Sequence, residues 1–390
     1  MKLPIYMDYN ATTPVDPRVL EAMLPCFADD FGNAASRTHP YGWAAAKLAE
    51  GARARIAAAI GAHPEELVFT SGATESNNLA IKGLARALPD GRGHVVTCAT
   101  EHKAVLDPCA ALAGEGFTVT VLPVDSDGRL DLQRVAGALT PRTGLVSVML
   151  ANNETGTIHP IAAIAALCRE RGVALHCDAT QAAGKLPLDV GALGVDLLSL
   201  SAHKLYGPKG VGALFVRRRT PRLRLVPLLD GGGHEQGVRS GTLNVPGIVG
   251  FARALELAIA AMPAESARLA QLRDHLQEAI CSRLDAVTVN GDAERRLPNT
   301  LNLSFAGVDG AALLVGVREV AVASGSACTS ADPKPSHVLL AMGRSKELAN
   351  ASLRFSLGRG NTADEVETVA GAVVREVTRL RANSPLWKRP

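Results

Sequence analysis

The sequence lacks the features that mark nucleic-acid-binding and membrane proteins. Its 390 residues include 41 Lys and Arg against 38 Asp and Glu, and a net charge of only +3 does not indicate binding to a polyanion such as nucleic acid. The one dense basic run, VRRRTPRLRL at 216–225, is interpreted as a solvated surface. No apolar run approaches the roughly 20 residues of a membrane helix, and the N-terminus has no apolar leader. We expect a cytoplasmic protein with no membrane or direct nucleic-acid binding.

The sequence also lacks a disulfide framework. Its seven cysteines are an odd number, and four of them, Cys98, Cys168, Cys177 and Cys281, lie in apolar segments. This usage is typical of a reduced, cytosolic chain. Cys328 differs, because its segment SGSACTSADPKPSH consists of small and turn-forming residues that offer no core for a thiol. Cys328 is therefore a candidate reactive residue.

Strand and helix patterns alternate through the first two thirds of the chain, whose length favours about two domains. From about residue 264 a long amphipathic helix and shorter strands follow. We predict an α/β fold with a large domain at 16–260, built on a mainly parallel seven-stranded sheet. A smaller α+β domain takes 1–15 and 261–390. The predicted strands of the large domain are LVFT at 67–70, HVVTCA at 94–99, FTVTVLPV at 117–124, GLVSVML at 144–150, VALHCDA at 173–179, DLLSLS at 196–201 and GALFV at 212–216.

Polar residues that end these apolar runs are the candidate site, because ligands bind beyond the carboxyl ends of parallel strands. The segment VFTSGATESNN turns after Thr70 into a helix, and amide groups at a helix start favour an anion such as a phosphate. A plain helix cap explains the same pattern. This segment alone leaves both interpretations open.

Three further segments carry ionisable or amide groups. Asp178 ends a strand, where its carboxylate can either cap the next helix or bind a cationic ring nitrogen, and Gln181 follows it and can donate to a ring oxygen. His203 and Lys204 follow the next strand, and a buried lysine is costly unless its depressed pKa is used for Schiff-base chemistry. His102 follows another strand, where a structural hydrogen bond is the plainer interpretation.

One cofactor explains the four segments together. Pyridoxal 5′-phosphate requires a lysine for its aldehyde, an acid for its pyridinium nitrogen, a phosphate site and a group that stacks on its ring. The sequence therefore predicts an enzyme that binds this cofactor.

Motifs along the whole chain carry a family resemblance. They are YMDYNATTPVD, FGNAASRTH, FTSGATESNNLAIKG, TEHKAVL, ANNETGTIHPI, CDATQAAGK, SLSAHKLYGPKGVGAL, GGGHEQGVRSGTLN, LPNTLNLSF, SGSACTS and LRFSLGRGNT. From about residue 5 to about 385 the chain resembles the cysteine desulfurases of the NifS/IscS type. These belong to the class-V aminotransferase group of fold-type-I pyridoxal phosphate enzymes.

The resemblance implies roles for the residues that contact the cofactor ring. Lys204 matches the lysine that bonds to the cofactor aldehyde, and Asp178 matches the partner of the pyridine nitrogen. Gln181 matches the contact to the ring hydroxyl, and His102 matches the residue that stacks on the ring and moves protons.

The resemblance also implies the phosphate and substrate contacts. Asn153 and Arg354 match residues near the cofactor and the substrate carboxylate, and Arg354 can bind that carboxylate with two hydrogen bonds. Thr242 matches a phosphate contact from the other subunit of a homodimer. The phosphate-binding positions of the same subunit are matched by Ala73, Thr74, Ser201 and His203.

The implied reaction converts L-cysteine to L-alanine and leaves a persulfide on Cys328. The sulfur then passes to an acceptor protein, such as a scaffold for iron–sulfur cluster assembly, or to thiolation. On such a partner the Cys328 persulfide can contact a cluster. An aminotransferase of this fold has no use for Cys328, whereas a selenocysteine lyase or desulfinase, or a non-catalytic sulfur-transfer scaffold, remains an alternative. We expect no metal site in the free enzyme, because His176 and Cys177 are adjacent in a strand and point to opposite faces.

Overall fold

The computed structural model describes residues 3–218, 223–324, 335–385 and 387. Cys328, the predicted nucleophile, lies outside the described residues. The strands in the described part are β1 (Ile5–Tyr6), β2 (Leu67–Thr70), β3 (His94–Cys98), β4 (Thr118–Leu122), β5 (Thr143–Ser147), β6 (Ala174–Asp178), β7 (Leu197–Ser201), β8 (Gly212–Val216), β9 (Val287–Asn290), β10 (Thr300–Phe305), β11 (Val320–Ala321), β12 (Ala323–Ser324) and β13 (Ser352–Ser356).

Helices cover the strands and connect most of them. The α-helices in the described ranges are α1 (Pro17–Met23), α2 (Pro25–Ala28), α3 (Pro40–Ala59), α4 (Ala73–Asn78), α5 (Lys103–Gly114), α6 (Leu132–Ala138), α7 (Ile161–Glu170), α8 (Val190–Leu193), α9 (Val245–Cys281), α10 (Gly310–Gly316), α11 (His337–Ala341), α12 (Lys346–Asn350) and α13 (Ala363–Ala382). Single 3₁₀ turns form at Pro64–Glu66, Ala202–Lys204 and Glu235–Gly237, and a π-helical segment at Leu79–Gly83 continues α4.

The largest sheet in the described part has seven strands in the order β2-β8-β7-β6-β5-β3-β4. The strands from β7 to β4 are parallel, and β8 is antiparallel to both of its neighbours. Both faces are covered, because successive residues such as Val95 and Val96 pack into separate apolar clusters. This burial on both faces explains why the strands are continuous apolar runs. The predicted mainly parallel, seven-stranded sheet is confirmed.

A second, antiparallel sheet has the order β12-β13-β10-β9, and β1 pairs with β11 beside it. Its own apolar cluster joins Met7 to residues from Leu269 to Val377. The sequence pattern starts the long helix near residue 264, whereas α9 begins at Val245 and continues through Pro263. A proline removes one helical hydrogen bond, so packing on both sides must hold α9 together. The domain boundary between 260 and 261 falls inside this helix and remains a proposal.

Helix α9 is long and apolar enough to cross a membrane by length and composition alone. Just over half of its most apolar window is buried inside the protein, and the helix packs mainly against α3, α1 and α13. Residues Leu255 and Ala258 of α9 belong to the core beneath the large sheet, and Leu276 belongs to the second core. This packing is that of a helix shared by two hydrophobic cores.

A buried ion pair ties the glycine-rich segment 231–241 to the large sheet. The Arg53 guanidinium donates to both carboxylate oxygens of Glu235, with the shorter distance 2.6 Å, and the amide of Phe69 donates to Glu235 Oε2 at 2.7 Å. Only 9% of the Arg53 side chain and 3% of the Glu235 side chain are exposed. Glu50 also contacts Arg53, but 61% of its side chain is exposed.

We expect the Glu235→Gln substitution to lower the free energy of unfolding by about 3 kcal/mol, because it leaves a buried guanidinium without its buried charged partner. The matched control Glu50→Gln removes the solvent-exposed partner of the same Arg53 and should cost less than about 1 kcal/mol. Chemical denaturation of the two variants measures both values. Equal losses would show that burial does not determine the strength of this ion pair.

Candidate active site

A cavity of about 580 Å³ lies at the carboxyl ends of the parallel strands. Ten of the twelve predicted site residues line it, whereas Thr242 does not and Cys328 lies outside the described residues. The ten are Ala73, Thr74, His102, Asn153, Asp178, Gln181, Ser201, His203, Lys204 and Arg354. They come from segments far apart in the chain, and the sheet brings them to one place.

Lys204 follows β7 in a single 3₁₀ turn that directs its amine into the cavity. Its Nζ donates to the backbone carbonyls of Asn10 at 2.6 Å and Ala11 at 2.7 Å. These carbonyls belong to the N-terminal segment, which also lines the cavity. Two backbone carbonyls of this segment therefore hold the amine in place.

Asp178 is the last residue of β6 and is 6% exposed. Its Oδ2 accepts a hydrogen bond from Asn77 Nδ2 at 2.7 Å, and its Oδ1 accepts from the amide of Thr180 at 2.9 Å. Two donors hold the carboxylate at the cavity wall. Such an acid is suited to a cationic ring nitrogen.

The turn from β2 into α4 forms another wall of the cavity, through residues 71–74. Gly72 adopts a φ of +148°, a conformation that glycine reaches without strain. Ser201 and His203 lie across from this turn. Burial, and then the charge of Lys204, lower the pKa of His203 to about 4, so His203 is neutral at pH 7. Amide, hydroxyl and neutral imidazole groups together can donate hydrogen bonds to a phosphate.

His102 caps the N-terminus of α5, since its Nδ1 accepts a hydrogen bond from the amide of Ala104 at 3.0 Å. Burial lowers the pKa of His102, although the Asp178 charge opposes this shift. The ring is therefore neutral near pH 7, with its proton on Nε2. A neutral, fixed imidazole can both stack on a ring and move a proton.

Arg354 lies on β13, which carries its guanidinium from the second sheet into the cavity. One nitrogen bonds Asp8 Oδ1 at 2.6 Å and another donates to the Asn153 carbonyl at 3.1 Å. Among the described residues, Arg354 Nε has no hydrogen-bond partner. The guanidinium is thus fixed by two contacts and retains donors for a ligand.

Four buried polar atoms of the cavity residues have no hydrogen-bond partner in the described part of the chain. They are Asn77 Oδ1, Asn153 Oδ1, Thr180 Oγ1 and Arg354 Nε. Buried polar atoms without partners are costly, so a polar ligand is expected to satisfy some of them. The lysine, the acid, the amide and the turn at residues 71–74 are the kinds of group that pyridoxal phosphate requires. The residues present therefore fit this cofactor.

Sequence patterns assign no role to Asn77, Asp8 or Asn10, although all three lie within motifs that carry the resemblance. Their contacts to Asp178, Arg354 and Lys204 arise from chain segments that only the folded structure brings together.

The described residues contain no group of three or more His, Cys, Asp or Glu side chains that could hold a metal ion. His176 instead forms hydrogen bonds through both ring nitrogens, to Ser147 at 2.8 Å and Ser199 at 2.9 Å.

Comparison with known proteins identifies close relatives. A protein of Anaeromyxobacter sp. (strain Fw109-5) named cysteine desulfurase IscS is 58% identical over 388 residues, covering 100% of this chain and 96% of the relative. The protein of the same name from Rickettsia peacockii (strain Rustic) is 49% identical, over 100% of this chain and 94% of its own.

Solved structures of similar proteins share the whole fold. A structure described as a NifS-like protein has a TM-score of 0.90 and 37% identity, covering 97% of this chain and 100% of its own. A structure of SspA in complex with cysteine has a TM-score of 0.81 and 40% identity, covering 90% and 98%.

The family pattern called aminotransferase class-V matches residues 5–369, which is most of the chain. Members of this family depend on pyridoxal phosphate, and the cavity contains the groups that this cofactor needs. The predicted resemblance is confirmed: the chain belongs to the class-V aminotransferase family of pyridoxal phosphate enzymes, alongside the cysteine desulfurases of the IscS type.

Proposed function

We propose that this protein is a cysteine desulfurase that converts L-cysteine to L-alanine and keeps the sulfur as a persulfide on Cys328. The observation that carries the proposal is the cavity in which Lys204, Asp178 and Arg354 meet. Full-length similarity to proteins named cysteine desulfurase IscS, and to a structure solved with cysteine, supports this choice of substrate. The presence of Cys328 argues against an aminotransferase.

Bound pyridoxal phosphate would supply an aldehyde for amines and a ring that withdraws electrons. Lys204 would hold the cofactor through Nζ and, once displaced by substrate, take the proton from the Cα of cysteine. Asp178 would keep the ring nitrogen protonated by accepting its hydrogen bond. His102, neutral because burial lowers its pKa, would stack on the ring and return protons during release of alanine.

Cys328 would act as the nucleophile toward the substrate sulfur. A new S–S bond forms at Cys328 Sγ as the Cβ–S bond of the substrate breaks, and the electrons of the broken bond stay with the carbon fragment. That fragment takes up a proton and becomes alanine. An ordinary cysteine pKa of about 8.5 leaves only a few per cent thiolate at pH 7, so the site or the substrate must assist deprotonation.

The protein would act as a homodimer in which Thr242 reaches the phosphate site of the partner subunit. Thr242 is exposed and lies away from the cavity of its own chain. Nearby, Leu243 packs on an apolar cluster that includes residues of α2 and α3. These helices and the loop between them expose Phe27, Phe31, Tyr41 and Trp43, each by 57–62%. So many exposed aromatic side chains are typical of a protein interface.

The persulfide sulfur would pass to an acceptor protein in the cytoplasm. The candidate acceptors are a scaffold for iron–sulfur cluster assembly, a nitrogenase-type scaffold, and a thiolation relay for tRNA or cofactors.

Replacing Arg354 with Lys should raise KM for L-cysteine by roughly tenfold to a hundredfold, because lysine keeps the charge but cannot bind a carboxylate with two hydrogen bonds. Steady-state alanine formation measures this change. Arg359→Lys is the matched control, since Arg359 lies outside the cavity in an ion pair with Glu265. An unchanged KM in the Arg354 variant would place the carboxylate site elsewhere.

Replacing Cys328 with Ala should leave the visible absorbance change on L-cysteine binding intact, yet abolish release of sulfide and alanine. Mass spectrometry of the wild-type protein after L-cysteine should find one extra sulfur on the peptide that contains Cys328. The control Cys281→Ala alters a half-buried thiol and should retain turnover. An extra sulfur on Cys26 or Cys281 would refute the assignment.

Hybrid dimers of a Lys204→Ala subunit and a Thr242→Ala subunit test the shared phosphate site. If Thr242 serves the partner, both lesions fall in one pocket, the other pocket is intact, and the hybrid keeps about half of the normal activity. Affinity tags on the two subunits allow the hybrid to be isolated and assayed. Activity near zero would mean that each pocket uses its own Thr242.

A further inference from the structure

A second lysine lies directly behind the cavity. Lys185 follows Gln181 by four residues, and its Nζ donates to the backbone carbonyl of Gln181 at 3.0 Å and to the side-chain Oε1 at 3.2 Å. Part of the Lys185 side chain reaches the surface, but its amine is enclosed by protein. Lys185 does not line the cavity itself.

The contacts to Lys185 and to Asn10 together determine which end of the Gln181 amide is the donor. Gln181 Nε2 donates to the carbonyl of Asn10 at 2.9 Å, while Oε1 accepts from Lys185. A flipped amide would place its N–H group against the amine donors and its oxygen against the Asn10 oxygen. Nε2 has a second N–H group, and Gln181 lines the cavity, so this donor is available to a ligand oxygen.

The surroundings of Lys185 lower the fraction of its amine that is protonated. Burial, and then the charge of Lys204, lower the pKa of Lys185 to about 7, and Glu265 opposes this shift. The small cavity beside Lys185 is also lined by Tyr9, Tyr206 and Arg359, so a second cation faces it. Charged or neutral, the amine carries at least two N–H donors, so it can make both contacts to Gln181 in either state.

We propose that Lys185 is a positioning residue that fixes the Gln181 amide with its donor end toward Asn10 and the cavity. This inference rests on the proposed function in so far as Gln181 contacts the ring oxygen of the cofactor. Lys185 thereby acts on cofactor binding through Gln181, without contact to the cofactor or the substrate.

A double-mutant cycle on the affinity for pyridoxal phosphate tests this dependence. The proteins are the wild type, Lys185→Met, Gln181→Leu and the double variant, and equilibrium dialysis measures the dissociation constant of the cofactor. We expect Lys185→Met to weaken binding by about tenfold, the size of one well-formed hydrogen bond. Lys185→Met should weaken binding no further when Gln181 is already Leu. Equal tenfold losses in both backgrounds would overturn the proposal.

Three controls separate positioning from general damage to the fold. Lys346→Met removes an exposed lysine at the start of α12 and should leave the dissociation constant unchanged. The visible absorbance band of the bound cofactor should shift in the same direction in Lys185→Met and Gln181→Leu. Should Lys185→Met not fold, Lys185→Arg, which retains N–H donors, should keep the affinity within about threefold. A tenfold loss in a Lys185→Arg protein with normal thermal melting would overturn the proposal.

The cycle does not depend on sulfur chemistry. Coupling between Lys185 and Gln181 with no turnover of L-cysteine would support the inference and refute the proposed function. Turnover without coupling would do the reverse.

Discussion

The site depends on the hydrogen bonds that the backbone carbonyl of Asn10 accepts. It accepts hydrogen bonds from Lys204 and from Gln181, which follow two different strands of the large sheet. The Asn10 side chain also forms hydrogen bonds with Thr300, the first residue of β10 in the second sheet, and with Asn299, which precedes it. One residue of the N-terminal segment thus joins the two sheets and aligns two cavity side chains, so the position of the amine follows from the packing of the whole molecule.

Burial sets the charge of the groups around this carbonyl. It lowers the pKa values of His102, His203 and Lys185, each of which carries less positive charge than it would in water. The positive charge around Lys204 is thereby reduced, and the charge of Lys204 itself contributes to the lowered pKa of all three residues. Arg354 forms an ion pair with Asp8 at 2.6 Å, which holds its guanidinium in place. A carboxylate ligand would therefore meet the fixed guanidinium of Arg354. The neutral imidazoles of His102 and His203 remain able to transfer protons.

Sequence patterns located most of the fold and most of the cavity. The seven apolar runs correspond to strands β2 to β8, because strands buried on both faces must be apolar along their length. Polar residues at the ends of these strands, such as Asp178 and Lys204, line the cavity for the same topological reason. Amphipathic periodicity puts the start of α9 about twenty residues too late, because the first turns of this helix pack into the core and are apolar on more than one face.

The sequence by itself determined the order of strands and helices, the family and the residue types of the site, because these depend on local periodicity and motifs. Only the tertiary structure decided which distant atoms meet: Asn77 with Asp178, Asp8 with Arg354, and Asn10 with both Gln181 and Lys204. These contacts join residues from 101 to 346 positions apart. Pattern along the chain carries no information about such distances, because hydrogen-bond partners are selected by packing in three dimensions.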